Sequence, residues 1–331
     1  MSRPEYSVVV PAYQAAGVIG DCVRALNAQT AARERYEIIV ADDGSTDETA
    51  LAARQAGADR VLILTHRGPA AARNAGVEAA GGEAVLFTDA DCEPSPEWLG
   101  RMVAPFTDPQ VMGVKGTYRT RQRALVARLV QLEFEIRYER MARLPCIDFV
   151  DAYAAAYRRP LLLQHGGFDP AYPIPSAEDV DLSFRLARAG HRLVFAPTAW
   201  VWHRHPVSLW AYLARKARYG FWRALLYRRY PEKAGRDAHT DPALKAQFVL
   251  VALAGLLGLG GLAWWPLAMA GAVVFATFLA TAFPFVRWAW RRDRAVAFAW
   301  PLLTFLRVAV QGMGLAVGMA YHRLVTQRKT S

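Results

Sequence analysis

From Gln247 to Val286 the chain carries no charged side chain. Two apolar runs make up this stretch, Gln247–Trp265 and Pro266–Val286, each close to the ~20 residues a helix needs to cross a bilayer. Trp264-Trp265-Pro266 marks a tight turn between them, its rings suited to the water interface. The spacing predicts a transmembrane hairpin. The basic link Arg287-Trp288-Ala289-Trp290-Arg291-Arg292-Asp293-Arg294 belongs on the cytoplasmic side. A third segment, residues 296–321, is apolar with a polar and small-residue stripe of Thr304, Arg307, Gln311, Gly314, Gly318 and His322. A spanning helix would use that stripe for close packing but would leave Arg323, Arg328 and Lys329 outside; an interfacial or re-entrant helix keeps them inside and is favoured.

The net charge is +11, and Lys and Arg concentrate just ahead of the apolar runs, in Arg204, Arg215, Lys216, Arg218, Arg223, Arg228, Arg229, Lys233 and Arg236. A basic patch can serve nucleic acid. Beside apolar spans it serves membrane lipid headgroups instead, so no nucleic-acid partner is expected. The three cysteines, Cys22, Cys92 and Cys146, are scattered and show no metal-ligand spacing, which argues against a disulfide framework and for a reducing compartment. Residues 1–5 are polar, with no signal-peptide pattern. The expected location is therefore the inner (cytoplasmic) membrane, multi-pass, with the large N-terminal domain in the cytoplasm. The organisation expected is a domain over residues 1–205, a basic juxtamembrane stretch over 206–245, and a membrane region over 246–322.

The N-terminal domain reads as an α/β protein. Apolar strands at Tyr6–Val10, Glu37–Val40, Arg60–Leu64 and Glu83–Phe87 alternate with helices at Gly17–Gln29, Glu48–Ala56 and Pro69–Ala80. Strands that are apolar throughout are buried on both faces, which predicts a mostly parallel, Rossmann-like sheet with ligands beyond the strands' carboxyl ends. Polar clusters stand at three such ends: Pro11-Ala12-Tyr13, Asp42-Asp43 and Asp89-Ala90-Asp91. Taken alone, each is an ordinary strand end; together they mark one edge. Two carboxylates at a strand end can share a hard divalent cation with substrate phosphates. Neither G-x-G-x-x-G nor G-x-x-x-x-G-K-[ST] is present, which disfavours a dinucleotide fold and a P-loop ATPase. Further strands are expected at Val111–Tyr118, Phe149–Tyr157 and Arg192–Ala196, and helices at Ala124–Arg143 and Leu182–Ala189. The 124–143 helix is either packed or lies near the membrane surface. His203 and His205 read as a metal site, a phosphate site or a polar loop.

Ser7-Val8-Val9-Val10-Pro11-Ala12-Tyr13, Asp42-Asp43-Gly44-Ser45-Thr46-Asp47, Ala72-Arg73-Asn74-Ala75-Gly76, Thr88-Asp89-Ala90-Asp91, and Glu178-Asp179 after a glycine-rich loop occur in the order typical of family 2 glycosyltransferases. The resemblance covers about Tyr6 to His205, and with the C-terminal spans it is to membrane-anchored bacterial enzymes of exopolysaccharide assembly. It implies the GT-A fold and an inverting, metal-dependent transfer of a sugar (hexosyltransferase type, EC 2.4). The donor implied is a nucleotide-diphosphate sugar, UDP-linked for preference; the acceptor is lipid-linked.

By the same resemblance Asp179 is the general base, with Glu178 beside it. Pro11, Tyr13, Asp42 and Asp43 hold the nucleotide, with Asp43 on the uracil imide, and Arg73 meets the diphosphate or Asp89. Asp91 is the direct ligand of Mg²⁺ or Mn²⁺, Asp89 faces the donor's ribose or sugar or that metal, His203 binds metal or diphosphate, and Gly166 and Gly167 let the backbone approach the donor sugar. The family's usual Thr or Ser before Glu178 is Ala177 here, which leaves the local hydrogen bonding open. Rival readings are a polyprenyl-phosphate glycosyltransferase, with Arg215–Arg229 serving the lipid phosphate, a nucleotidyltransferase, and a non-catalytic membrane scaffold that keeps the fold. A processive synthase is disfavoured, because no Q-x-x-R-W segment is evident. The exposed aromatics of the spans leave an oligomer open.

Overall fold

The computed structural model describes residues 3–235 and 242–330; Arg236 of the basic stretch, and the side chains of Arg328 and Lys329, lie outside the described residues. Two compact units emerge: residues 1–121 with 134–204, and residues 122–133 with 205–331.

The first unit is built on β1 (Tyr6–Ala12), α1 (Ile19–Asn27), β2 (Tyr36–Asp42), α2 (Thr49–Gln55), β3 (Arg60–Ile63), α3 (Pro69–Ala79) and β4 (Ala84–Thr88). β3, β2, β1 and β4 lie side by side and parallel. Val8, Val9, Val10, Ile38, Ile39, Val40, Val85, Leu86 and Phe87 are all fully buried, as strands covered on both faces require. α1 turns Ile19, Cys22, Val23 and Leu26 onto this sheet. At the start of α2 the Asp47 carboxylate accepts the Thr49 N–H at 3.1 Å.

The remaining strands make the sheet mixed. β5 (Cys92–Pro94), α4 (Trp98–Val103), β6 (Val111–Arg119), α5 (Leu125–Met141), β7 (Ala154–Arg158), α6 (Arg159–Gln164), α7 (Glu178–Arg188) and β8 (Arg192–His203) follow. The eight-stranded order is β3-β2-β1-β4-β7-β6-β8-β5. β7 runs antiparallel to β4 and β6, β6 parallel to β8, and β5 antiparallel to β8.

Three expectations change here. The strand expected from Phe149 starts only at Ala154, because Phe149–Tyr153 is a buried loop. β8 does not stop at Ala196 but continues through Trp200-Val201-Trp202 to His203, paired with β6 and β5. The acidic helix begins at Glu178, so Glu178, Asp179 and Asp181 occupy its first turn, where the helix dipole favours negative charge.

In the second unit α8 (Leu209–Arg229), capped by the Ser208 hydroxyl, is followed by the short α9 (Pro231–Gly235) and by α10 (Pro242–Gly260), α11 (Trp265–Trp290) and α12 (Arg294–Thr330). The last three are long and apolar enough to cross a membrane, and Leu256, Leu259, Val273 and Phe298 stand exposed on them, as lipid-facing residues do. The link expected at 287–294 is mostly helical: α11 runs to Trp290, leaving a short turn to α12.

The stripe on α12 is a buried face. Thr304 is fully buried and Gln311 and His322 nearly so. A Cβ on Gly314 would stand 2.1 Å from the Ala217 carbonyl oxygen and one on Gly318 2.3 Å from that of Phe221. The glycines therefore seat α12 on α8, backbone against backbone. Glu133, on the part of α5 that belongs to this unit, accepts from Tyr212 (2.8 Å) and Lys216 (2.7 Å) of α8 and Arg307 (2.7 Å) of α12. Burial alone would raise its pKa, but the two cations hold it down at about 2.

Candidate active site

The carboxyl ends of β1, β2 and β4 bring Tyr13, Asp42, Asp43 and Asp89 to one edge of the first unit, as parallel order dictates. Asp42 Oδ1 accepts the Ser45 N–H at 2.9 Å and closes the turn after β2. Asp43 is buried; its Oδ1 accepts the Arg67 N–H (2.9 Å) and its Oδ2 the Gly68 N–H (2.8 Å), with His66 Nδ1 also 2.9 Å from Oδ2. Tyr13 stacks on His66 with ring centroids 4.2 Å apart. This exposed pair is a ready wall for a planar base. His66 had no motif to announce it; only the closeness of the ends of β1 and β3 does.

Arg73, on the buried side of α3, pairs with two carboxylates: Nη2 donates to Asp89 Oδ1 at 3.0 Å and Nη1 to Glu178 Oε1 at 2.9 Å. Burial would lower its pKa, but the charges of Asp89 and Glu178 hold it above the ordinary arginine value. Of the two partners expected for Arg73, diphosphate or Asp89, the structure supplies Asp89 and adds Glu178. Glu178 also accepts the Ser176 N–H at 2.8 Å, which closes the turn that Ala177 cannot cap with a side chain. Glu178 is thus buried, with both carboxylate oxygens accepting hydrogen bonds.

Asp179 is half-buried at the start of α7. Its Oδ2 accepts the Ala152 N–H at 3.2 Å and Oδ1 its helix's Val180 N–H at 2.8 Å. Its pKa is pushed up to about 8, first by burial, then by the charges of Glu178 and Asp151, with Arg73 pulling the other way. A carboxylate so tuned is a base poised near neutral pH. Behind it Asp151 pairs with the fully buried Lys115, whose ammonium also lies 3.2 Å from Tyr153 Oη. Lys115 puts a fully buried cation in the middle of β6, a signal that sequence reading passed over.

Gly166 and Gly167 both have positive φ, 71° and 62°, and form the turn before Phe168. Asn74 clamps that turn, donating to the Phe168 carbonyl at 2.7 Å and accepting its N–H at 2.8 Å. A Cβ on Gly167 would lie 2.3 Å from Asn74 Oδ1, so the close approach this glycine allows is to Asn74.

At the far edge of the sheet Asp91 Oδ1 lies 3.5 Å from His203 Nδ1, and Cys92 Sγ is 3.8 Å from each. His203 is buried and stacked on Tyr118, while the Asp91 carboxylate is 41% exposed. The thiol's pKa is raised well above its usual value, by burial and then by Asp91 and Asp89, so without an ion it stays protonated. The pair Asp91 and His203 offers a carboxylate oxygen and an imidazole nitrogen facing one point, which fits a divalent ion. Cys92, read from sequence as lacking metal-ligand spacing, belongs to this group by fold. His205 is placed in the second unit, its Nε2 3.0 Å from Gln131 Oε1.

The family model of glycosyl transferase family 2 matches residues 7–165, the span holding Tyr13, Asp43, Arg73, Asp89 and Asp91. A pre-mycofactocin glycosyltransferase of Mycobacterium tuberculosis is 32% identical over 279 residues, covering 79% of this chain and 55% of that protein. Glycosyltransferase AglE of Haloferax volcanii is 31% identical over 206 residues, covering 58% of this chain and 64% of that one. The chain thus spans between half and two thirds of these curated relatives. In fold it resembles a mannosyltransferase from Pyrobaculum calidifontis, solved with GDP-mannose and Mn²⁺, at a TM-score of 0.62 and 22% identity over 97% of this chain and 88% of that one. With its mixed GT-A sheet and the ordered edge of Asp43, Arg73, Asp89 and Asp91, the span 7–165 of this chain is a glycosyl transferase family 2 domain.

Proposed function

We propose that this chain transfers a sugar, with inversion, from a nucleotide-diphosphate sugar to a lipid-linked acceptor at the cytoplasmic face of a membrane. The observation that carries the reading is Asp179: a half-buried carboxylate raised to about 8, beside the Asp89–Arg73–Glu178 bridge. Tyr13 and His66 stack against the base, and Asp43 has a carboxylate beside them to receive an imide N–H, which favours a uridine donor. Arg73 stays with its two carboxylates and orders the wall between donor and base. Asp91 and His203 would hold the divalent ion, Mn²⁺ by the nitrogen donor or Mg²⁺, which when bound neutralises the departing diphosphate. The Pyrobaculum enzyme's Mn²⁺ is that protein's; here the metal reading stands on Asp91 and His203.

The acceptor hydroxyl attacks the anomeric carbon from the face opposite the diphosphate. A new C–O bond forms as the C–O bond to phosphate breaks, and Asp179 takes the hydroxyl proton. The neutral acid then passes that proton to water.

The membrane face follows from the second unit. α10 and α11 form the hairpin, and the basic stretch Arg287–Arg294, at the end of α11 and the turn to α12, favours the cytoplasmic side for that end. α12 is seated by its glycines on α8, which bears Arg215, Lys216, Arg218, Arg223, Arg228 and Arg229. A helix with that many cations does not lie in hydrocarbon, which supports α12 as an interfacial helix along its glycine stripe.

The test is a screen of nucleotide sugars with membrane lipid extract, reading nucleotide release. Nucleoside diphosphate dependent on added lipid is expected. Pyrophosphate would make the chain a nucleotidyltransferase, and silence with every donor would return it to a scaffold. Asp91→Ala is expected to lose the metal-dependent part of donor binding; donor affinity indifferent to both chelator and this substitution removes the metal from the reading.

A further inference from the structure

Cys92 lies directly opposite His203 in the antiparallel pairing of β5 with β8, so the two side chains share one face of the sheet. Asp91 enters the same corner from the residue before. Sγ to Nδ1 and Sγ to Oδ1 are each 3.8 Å, and Nδ1 to Oδ1 is 3.5 Å. An ion bound tetrahedrally at ordinary zinc bond lengths keeps its nitrogen and oxygen donors about 3.4 Å apart and its sulfur about 3.6 Å from either. The triangle is within about 0.2 Å of that arrangement before any ligand moves. Thiol and imidazole are buried and the carboxylate is the exposed corner, so an ion enters past Asp91 and keeps its fourth position on that side.

We propose that Asp91, Cys92 and His203 form a three-donor site for Zn²⁺, and that Zn²⁺ seated there displaces the hard ion of sugar transfer. Mg²⁺ and Mn²⁺ prefer hard donors, oxygen above all, and leave the thiol protonated. Zn²⁺ draws on the sulfur as well: a Zn–S bond forms, the S–H bond breaks, and the proton leaves to solvent. A residue that is spectator to one ion is thereby ligand to another, and the site becomes sensitive to the ratio of the two. Zinc binding stands on the three donor atoms alone; only the displacement of a transfer metal rests on the function proposed above.

The experiment uses the full chain in detergent micelles with Co²⁺ as the optical stand-in for Zn²⁺. A near-ultraviolet thiolate-to-cobalt absorption is expected, with about one proton released per ion into weak buffer. Zn²⁺ is expected to abolish the band, and the Zn²⁺ that does so to expel bound Mn²⁺, read as free Mn²⁺ by electron paramagnetic resonance. Cys92→Ser should lose the band while Cys22→Ser and Cys146→Ser keep it. Cobalt bound by the unsubstituted chain without a thiolate band overturns the proposal, whatever the variants do. So does a band that survives Cys92→Ser. Mn²⁺ that stays bound under saturating Zn²⁺ overturns the displacement. A chain that shows the band but transfers no sugar refutes the transferase reading and leaves the zinc site standing.

Discussion

Asp179 lends itself to a quantitative test, because its charge state follows from its neighbours. Three carboxylates, Asp89, Glu178 and Asp179, stand around one guanidinium, and Arg73 gives its hydrogen bonds to the first two. The third keeps its proton up to a pH of about 8. In the free enzyme about one molecule in a hundred is then ionised at pH 6 and half at pH 8. With both substrates far below saturation, kcat/KM should climb with unit slope below pH 8, about 50-fold between pH 6 and pH 8, and level off above. A carboxylate near its ordinary 3.8 would give a flat profile over that range. Asp179→Asn should cost about 10²- to 10⁴-fold in turnover, erase the slope and leave donor binding intact.

Stability supplies an independent readout with the opposite sense. A carboxyl whose folded pKa is raised supports the fold while neutral and loses that support as pH rises through about 8. Asparagine mimics the neutral acid, so Asp179→Asn should melt no lower than the parent at pH 9. A flat activity profile, or a substituted enzyme that keeps the slope, refutes the base assignment.

Arg73→Met leaves Glu178 buried without its cation and should cost about 3–5 kcal/mol of stability, seen as a lowered Tm together with lost transfer. Glu133→Gln should destabilise the second unit comparably, because Lys216 and Arg307 then face each other with no carboxylate between them. Since the folded pKa of Glu133 is depressed, its contribution is present above the ordinary 4.5 and is lost as pH falls through about 2, so the gap in Tm between parent and Glu133→Gln should close in acid. Gly314→Leu, with a Cβ due 2.1 Å from the Ala217 carbonyl, should separate α12 from α8 and expose α8 to protease. A single cysteine added after Ser331 should resist an impermeant label applied from outside intact cells; labelling there would make α12 a third span.

The parallel half of the sheet was legible because its strands are unbroken apolar runs, each stopped by a polar cluster, and burial on both faces demands that pattern. Phe149–Tyr153 carries the same aromatic and apolar look, yet it is a buried loop that turns the Ala152 N–H toward Asp179. Burial and strand geometry leave one signature in sequence, and only hydrogen-bond partners tell them apart. β8 was cut short for the converse reason: Pro197 reads as a stop, but the strand carries it across an irregular register with β6 and goes on to His203. The membrane helices were legible by composition, whereas the stripe on α12 named its residues but not the helix they pack on.

Within the site, sequence order supplied the motifs and the fold supplied the pairings. In sequence Arg73 could face the diphosphate or Asp89; in the fold it meets Asp89 from 16 residues away and Glu178 from 105. That one side chain ties β4 to α7, so the donor edge and the base cannot shift independently. The same logic explains why Glu178 is an ion-pair partner while its neighbour is the carboxylate proposed as proton acceptor. Adjacent residues on the first turn of a helix share the dipole, but only Glu178 has the guanidinium and the Ser176 N–H. Asp179 receives two backbone N–H groups and no cation, and it lies within the field of both Glu178 and Asp151. Exchanging the two residues would preserve composition and net charge, yet it would put a buried pair where a proton acceptor is needed. In the proposed mechanism the distinction between structural and reactive carboxylate is thus set by which of them Arg73 hydrogen-bonds.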